Sequence, residues 1–124
     1  TMAIDYEIFD GKSLSSLFKD IYDNTEFNRK QLEVLTKELV QFIKDGDTAV
    51  QIVPMIKEYM EIGVKNDEQL IKLATIVQRI ESANAKGEGG DMFDFSELQD
   101  LLEESEATEK EIDEVTDQSE ETDD

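Results

Sequence analysis

Large apolar residues in the first half of the chain recur at steps of three and four, the spacing of one face of a helix. Ser13 is a suitable N-cap, and Asp45-Gly46 is a suitable C-terminal stop because Gly tolerates a positive φ. We therefore predict one long helix over residues 13–45. Its repeat, which includes two polar positions, is Leu14, Phe18, Ile21, Thr25, Asn28, Leu32, Leu35, Leu39 and Phe42.

The polar residues Thr25 and Asn28 interrupt this apolar face. Poor helix formers cluster around them, so the helix either breaks near Asn24, with Thr25 as a new cap, or continues. If it continues, the polar pair fixes the register of the helix against its neighbours, as polar residues do in coiled coils. The sequence leaves both alternatives open.

A second apolar stripe predicts a helix that begins at Asp47 or Thr48 and ends at Gly63. Pro54 lies inside it, so the helix either bends there or begins in earnest at Val53. The positions that form this stripe and widen it are Ala49, Ile52, Val53, Met55, Ile56, Tyr59, Met60, Ile62 and Gly63.

Asn66, followed by Gln69, resembles a capping box and predicts the start of a third helix that runs to about Ile80. Short connections favour antiparallel neighbours. The fold predicted for residues 13–83 is therefore all-α, a long N-terminal helix plus an antiparallel helical hairpin, similar to a three-helix bundle. Residues 1–12 are predicted to form an N-terminal arm without a pairing strand.

The chain changes character after residue 83. Residues 84–91 are a glycine-rich linker, 92–104 an amphipathic acidic-hydrophobic segment, and 105–124 a tail too poor in apolar residues to order itself. The segment either docks on a partner or folds back on its own helices, and both alternatives remain open. Its candidate partner-binding residues are Met92, Phe93, Phe95, Leu98, Leu101 and Leu102.

Charge follows the same division. Residues 84–124 carry 17 acidic residues against two lysines, whereas residues 1–83 carry 15 against ten basic residues. Blocks of like charge stay solvated or serve as interaction arms. The acidic end of the chain is therefore a candidate contact for a basic protein surface.

Catalytic chemistry is poorly represented. The chain has no His and no Cys, which removes the usual imidazole bases, thiolate nucleophiles and zinc ligands. Asp45-Gly46-Asp47 lacks the regular oxygen ligands of a calcium loop, and Asp20 with Asp23 suits a solvated helix face better than a magnesium site. We predict a protein that is not an enzyme and has no cofactor and no metal.

Arg29, Lys30 and Lys37 are the one cluster of bases that could form a positive patch. The other bases are scattered among acids, so direct DNA binding is expected to be weak or to require an assembly. No segment is apolar enough to span a membrane, and no signal sequence is evident. The sequence therefore predicts a cytoplasmic protein without membrane contact.

The region from Asn28 to Ile80 resembles the central helical region of small terminase subunits from large contractile-tailed phages. The resemblance implies ring oligomers that regulate a DNA-packaging motor in the host cytoplasm, with the C-terminal segment contacting the motor subunit. The residues that carry it are Arg29, Leu32, Leu35, Leu39, the Ile43-Lys44-Asp45-Gly46 stop and the return helix from Asn66 to Ile80.

Two functional hypotheses follow. The first is an oligomeric, phage-type adaptor that assembles through its helical body and recruits a larger machine through residues 92–104. The second is a monomeric acidic regulator that mimics nucleic acid or binds a basic protein surface, as a transcription accessory factor or a head-core protein would. The oligomeric state distinguishes the two hypotheses.

Overall fold

The computed structural model describes residues 7–9, 12–85 and 95–121. These residues form mainly helices, which confirms the all-α prediction. The elements in chain order are β1 (Glu7–Phe9), β2 (Lys12–Ser13), α1 (Leu14–Gln41), α2 (Gly46–Ala85) and α3 (Ser96–Glu121).

The two strands form a short antiparallel ribbon before α1. Glu7 is paired with Ser13, and Phe9 is paired with Lys12. The prediction of an unpaired arm is therefore wrong for residues 7–9, because their partner strand lies only a few residues later in the chain rather than in a distant segment. Residues 1–6, 10 and 11 lie outside the described part of the chain.

Helix α1 begins where its cap predicts. The Ser16 N–H donates to Ser13 Oγ at 3.1 Å, so Ser13 satisfies one of the amides left unpaired at the start of a helix. The helix continues through Asn24, and the alternative of a break there is wrong. It ends at Gln41, where the Phe42 N–H donates to the Leu39 carbonyl, four residues before the predicted end.

The predicted stop at Asp45-Gly46 is the start of α2 instead. The Thr48 N–H donates to Asp45 Oδ1 at 2.9 Å, and the Asp45 N–H donates to Thr48 Oγ1 at 3.1 Å. This reciprocal pair is a capping box with Asp45 as the cap. The prediction that Asp47 or Thr48 caps this helix is therefore wrong, and Thr48 acts as the second member of the box.

Helix α2 runs for 40 residues without a break at Gly63. The predicted division into two helices is wrong for two reasons. Gly63 lies inside the helix on the side that faces α1, where a Cβ would be in ordinary van der Waals contact with Leu32 Cδ1 at 3.9 Å, so this glycine does not end the helix. Asn66, which resembles a cap, is buried between helices. The antiparallel hairpin of the fold is formed by α1 and α2.

Helix α3 extends to Glu121, so the prediction of a disordered tail is wrong for residues 105–121. The buried face of α3 is hard to recognise in the sequence because two of its positions are small polar residues, Ser105 and Thr108. The Ser105 hydroxyl donates to the Leu102 carbonyl at 2.8 Å, and the Thr108 hydroxyl donates to the Glu104 carbonyl at 2.9 Å, so both can be buried. The buried positions recur at steps of three and four and are Leu98, Leu101, Ser105, Thr108, Ile112 and Val115.

The three helices pack against one another and enclose two apolar clusters. The start of α1 shares its cluster with the start of α3 and the end of α2, so α1 and α3 are parallel and α2 is antiparallel to both. The first cluster contains Leu14, Leu17, Phe18, Ile21, Leu73, Ile76, Ile80, Leu98 and Leu101. The second contains Leu32, Leu39, Tyr59, Ile62, Ile112 and Val115.

A buried polar layer lies between the two clusters. The Asn28 amide donates to the Ser105 carbonyl at 3.1 Å and to Asn66 Oδ1 at 3.3 Å, and the Asn66 amide donates to the Thr25 carbonyl at 2.8 Å. Each helix therefore contributes to one network, as the register alternative predicts for Thr25 and Asn28. The layer consists of Thr25, Asn28, Asn66, Gln69, Ser105 and Thr108.

Candidate functional site

The predicted partner-binding segment packs on its own chain. Leu98 and Leu101 are 0% and 2% exposed in the first apolar cluster, and Phe95 and Leu102 are partly buried against it. Of the two alternatives for this segment, the structure therefore has the one in cis. The prediction of an apolar docking surface is wrong for Leu98 and Leu101, because these two side chains have almost no exposed surface in this fold. Met92 and Phe93 lie outside the described residues.

The predicted basic patch is neutralised by its own helix. Arg29 Nη2 lies 2.8 Å from Glu26 Oε2, and Lys37 Nζ lies 3.3 Å from Glu33 Oε1. The hydrogen bond from Arg29 lowers the pKa of Glu26, so this carboxylate keeps its charge further into the acid range than an isolated glutamate does. Lys30 is exposed beside them. The patch therefore presents little unopposed positive charge to a nucleic acid.

A ladder of ion pairs joins α2 to one edge of α3. Lys65, Lys72 and Arg79 are spaced seven residues apart on α2 and face acids spaced seven residues apart on α3. The closest distances are 3.3 Å for Lys65–Glu111, 3.7 Å for Lys72–Glu104 and 2.9 Å for Arg79–Glu97. These pairs are exposed and each contributes only about 0–1 kcal/mol to stability. Their effect is to place three cations of α2 on one edge of α3.

A shallow groove of about 390 Å³ lies between α2 and α3 beside the ion pairs Lys72–Glu104 and Arg79–Glu97. Its walls carry alkyl, hydroxyl and ion-paired side chains, and the chain has no His or Cys to place in it. The ionisable side chains of the groove are Asp100 and the ion-paired Lys72, Arg79, Glu97 and Glu104.

The opposite, outer face of α3 is strongly acidic. This helix carries 12 acidic residues and a single lysine. An exposed row at steps of three and four, here named the acidic row, consists of Glu103, Glu106, Lys110, Asp113 and Asp117. Among the described residues, no ion pair involves its four carboxylates. Their charge is therefore available to a partner.

The acidic row was not predicted as an ordered surface, because the sequence suggested disorder beyond Glu104. A usable signal exists in the continuation of the Leu98 and Leu101 spacing through Ser105 and Thr108 to Ile112. The outward positions follow once these two hydroxyl residues are accepted as part of a buried face.

Metal-binding groups and membrane-spanning helices are both absent from the part of the chain that the structure describes. Within residues 12–85 and 95–121, no group of three or more acidic side chains is placed to hold a metal ion. None of the three helices is long and apolar enough to cross a membrane. Searches against protein-family models, curated proteins and solved structures find no match to this chain.

Proposed function

We propose that this protein is a non-enzymatic adaptor that binds a basic protein surface through the acidic row of α3. The observation that carries the proposal is the arrangement of that row, in which four carboxylates follow the exposed side of one continuous helix. Opposite charge across an interface raises the association rate and selects partners more than it adds affinity. A positively charged protein groove is the partner that this surface fits.

Helix α3 is held in place along its length, which favours this role. Leu98 and Leu101 anchor its start in one cluster, Ile112 and Val115 anchor its second half in another, and Ser105 joins the polar layer. A partner therefore need not order this segment when it binds, which saves the conformational entropy that a disordered tail would lose.

The acidic row changes the form of the adaptor hypothesis. Recruitment through apolar residues 92–104 is replaced by recruitment through charge, because Leu98 and Leu101 are in the core. The same surface serves the alternative of a nucleic-acid mimic, which would compete for a basic site. Direct DNA binding is disfavoured because α3 repels phosphate.

A DNA-packaging machine is the partner class that the resemblance of residues 28–80 suggests. Proteins that contact DNA carry basic surfaces, so such a machine suits the acidic row. The resemblance assumed a separate return helix from Asn66 to Ile80, whereas those residues continue α2. The proposal of a phage-type adaptor therefore depends on the partner that is found.

Affinity capture from the native cytosol tests the proposal. The full chain is compared with a row variant that combines Glu106→Gln, Asp113→Asn and Asp117→Asn. A control variant, Glu38→Gln with Glu58→Gln and Glu81→Gln, removes the same number of charges from exposed positions of α1 and α2. We expect the row variant to lose basic partners that the control retains. With a purified partner, its Kd should rise about tenfold, with a weaker salt dependence.

Equal capture by the row variant and the full chain would refute a role for the acidic row. Equal losses in the row variant and the control variant would also refute it, since they would show that bulk charge rather than this face attracts the partner.

A further inference from the structure

The outer face of α2 carries an exposed apolar stripe. Five of its large apolar residues are 52–76% exposed, which is unusual for side chains of this size on one helix. With the polar residues between them they form a continuous set at steps of three and four. This set, here named the outer stripe, is Val50, Val53, Lys57, Met60, Val64, Asp67, Ile71 and Ala74.

The outer stripe points away from the core of its own chain. At about 100° per residue, its centre lies roughly 170° around the helix from the buried face that contains Tyr59, Ile62 and Asn66. Helices α1 and α3 pack on that buried face, and the described residues leave the stripe uncovered. A spacing of three and four is the seam of a two-helix coiled coil, so the stripe fits a helix better than an irregular partner.

The outer stripe is complementary to itself when a second copy runs antiparallel. The two-fold axis is perpendicular to α2 and crosses the outer stripe at the level of residue 62. It brings together stripe positions that lie equally far before and after residue 62. Met60 then faces the partner's Val64, and Val53 faces the partner's Ile71. Lys57 faces the partner's Asp67, and the symmetry repeats each of these contacts. Val50 and the partner's Ala74 end the seam.

The two charged positions select this arrangement over others. In a parallel pair, Lys57 would face the partner's Lys57, and Asp67 would face the partner's Asp67, so both contacts would be repulsive. A shift by seven residues in the antiparallel pair would place both charges against apolar residues. Only the register centred at Ile62 pairs every apolar position with an apolar position and every charge with its opposite.

The surroundings of Lys57 fit the same arrangement. Lys57 Nζ lies 3.9 Å from Glu61 Oε1 of its own chain, a long and exposed ion pair. In the antiparallel pair, Lys57 lies between Glu61 and the partner's Asp67, so it offsets the negative charge that both chains bring to the seam.

We infer that a second copy of this chain covers the outer stripe, as an antiparallel two-fold dimer in which Lys57 pairs with the partner's Asp67. This inference uses a different face from the acidic row, so it stands or fails independently of the proposed function. In the dimer both acidic rows remain free, since α3 packs on the opposite side of α2.

Sedimentation equilibrium of the full chain tests the dimer. At about 0.15 M salt, where charges are screened beyond about 8 Å, we expect twice the chain mass of 14.2 kDa. Val64→Glu should give a monomer, because it places two carboxylates at the centre of the seam. The matched control Val40→Glu, at an exposed site of α1, should stay dimeric. Circular dichroism should show unchanged helicity in both variants.

Charge exchange tests the register. Lys57→Glu alone should raise the dimer Kd by about tenfold or more, because each chain's new carboxylate then faces Asp67 of the other. Adding Asp67→Lys should return the Kd to near its original value. A wild-type monomer at about 100 μM, a weak limit for a specific dimer, would overturn the inference. A dimer that survives Val64→Glu, or a double exchange that fails to restore association, would do so too.

Discussion

Replacing Ile112 by alanine tests whether the second half of α3 belongs to the folded core. Its side chain is 2% exposed and packs in the second cluster with Leu32, Tyr59 and Ile62. The substitution removes three buried carbons, and at about 0.8 kcal/mol for each the lost transfer free energy is about 2.4 kcal/mol. The cavity left behind raises the expected loss to about 3–4 kcal/mol, within the range measured for such changes.

Urea unfolding followed by far-ultraviolet circular dichroism measures this loss. The matched control is Glu114→Ala, two residues away on the exposed side of α3, which should stay within about 0.5 kcal/mol of the original stability. Protein concentration is held constant, because self-association makes the midpoint depend on it. A chain that ends at Glu104 should also melt at a much lower temperature, because it lacks Ile112 and Val115 and so exposes the rest of the second cluster. Equal midpoints for Ile112→Ala and Glu114→Ala would refute the packing of α3 beyond residue 104.

Two further predictions concern polar contacts. Asn66→Ala should destabilise the protein by about 1–3 kcal/mol, because it removes two buried hydrogen bonds, to the Thr25 carbonyl and from the Asn28 amide, and leaves that amide only its bond to the Ser105 carbonyl. Urea unfolding measures this, and a midpoint equal to that of the exposed control Gln78→Ala would contradict it. Asp45→Ala should lower the melting temperature at neutral pH, because hydrogen bonds from Thr48 hold the pKa of Asp45 below its ordinary value. Because the pKa of Asp45 is lower in the folded state than in the unfolded state, its carboxylate stabilises the fold at pH values above the unfolded-state pKa. This stabilisation is lost as the pH falls through the folded-state pKa, so the melting temperatures of Asp45→Ala and the original protein should converge in acid. A difference that persists there would show that charge on Asp45 is not the cause.

The sequence predicts helices well where large apolar residues form the repeat. The stripe from Leu14 to Leu39 is one helix, with Ser13 as its cap, because spacing and capping chemistry agree. The polar positions Thr25 and Asn28 are also placed correctly by the alternative in which they fix register.

Errors arise where one residue type has two possible roles. Gly63 and Asn66 are typical of a helix end, yet in this fold the glycine lies inside α2 opposite Leu32 and the asparagine forms hydrogen bonds across helices. Ser105 and Thr108 are typical of a solvated tail, but in this fold they are buried and accept hydrogen bonds from Asn28 and Gln69 of the neighbouring helices. Such roles depend on tertiary partners, which local pattern does not contain.

The candidate surfaces follow the same rule. The acidic row and the outer stripe each have a helical spacing that can be read from the sequence. Whether they are exposed depends on which face of α3 and of α2 is buried in the core. The sequence allows Leu98 and Leu101 to face a partner, because the residues that bury them, such as Leu14 and Ile76, are distant along the chain.

The polar layer has a consequence for how uniquely the helices align. The apolar seams and the ion-pair ladder both repeat every seven residues, so sliding α3 along α2 by one heptad would preserve most apolar contacts and two of the three ion pairs. The apolar seams and the ion pairs therefore do not by themselves distinguish the native alignment of α3 from one that is shifted by seven residues. Ser105 and Thr108 break this repeat, because the residues seven positions away from them on α3 are all apolar: Leu98, Leu101, Ile112 and Val115. The Asn24 amide donates to the Ser105 hydroxyl and the Gln69 amide donates to the Thr108 hydroxyl, so a slip would leave both amides without these acceptors at about 1–3 kcal/mol each. These few hydrogen bonds make one alignment out of several near-equivalent ones the native state.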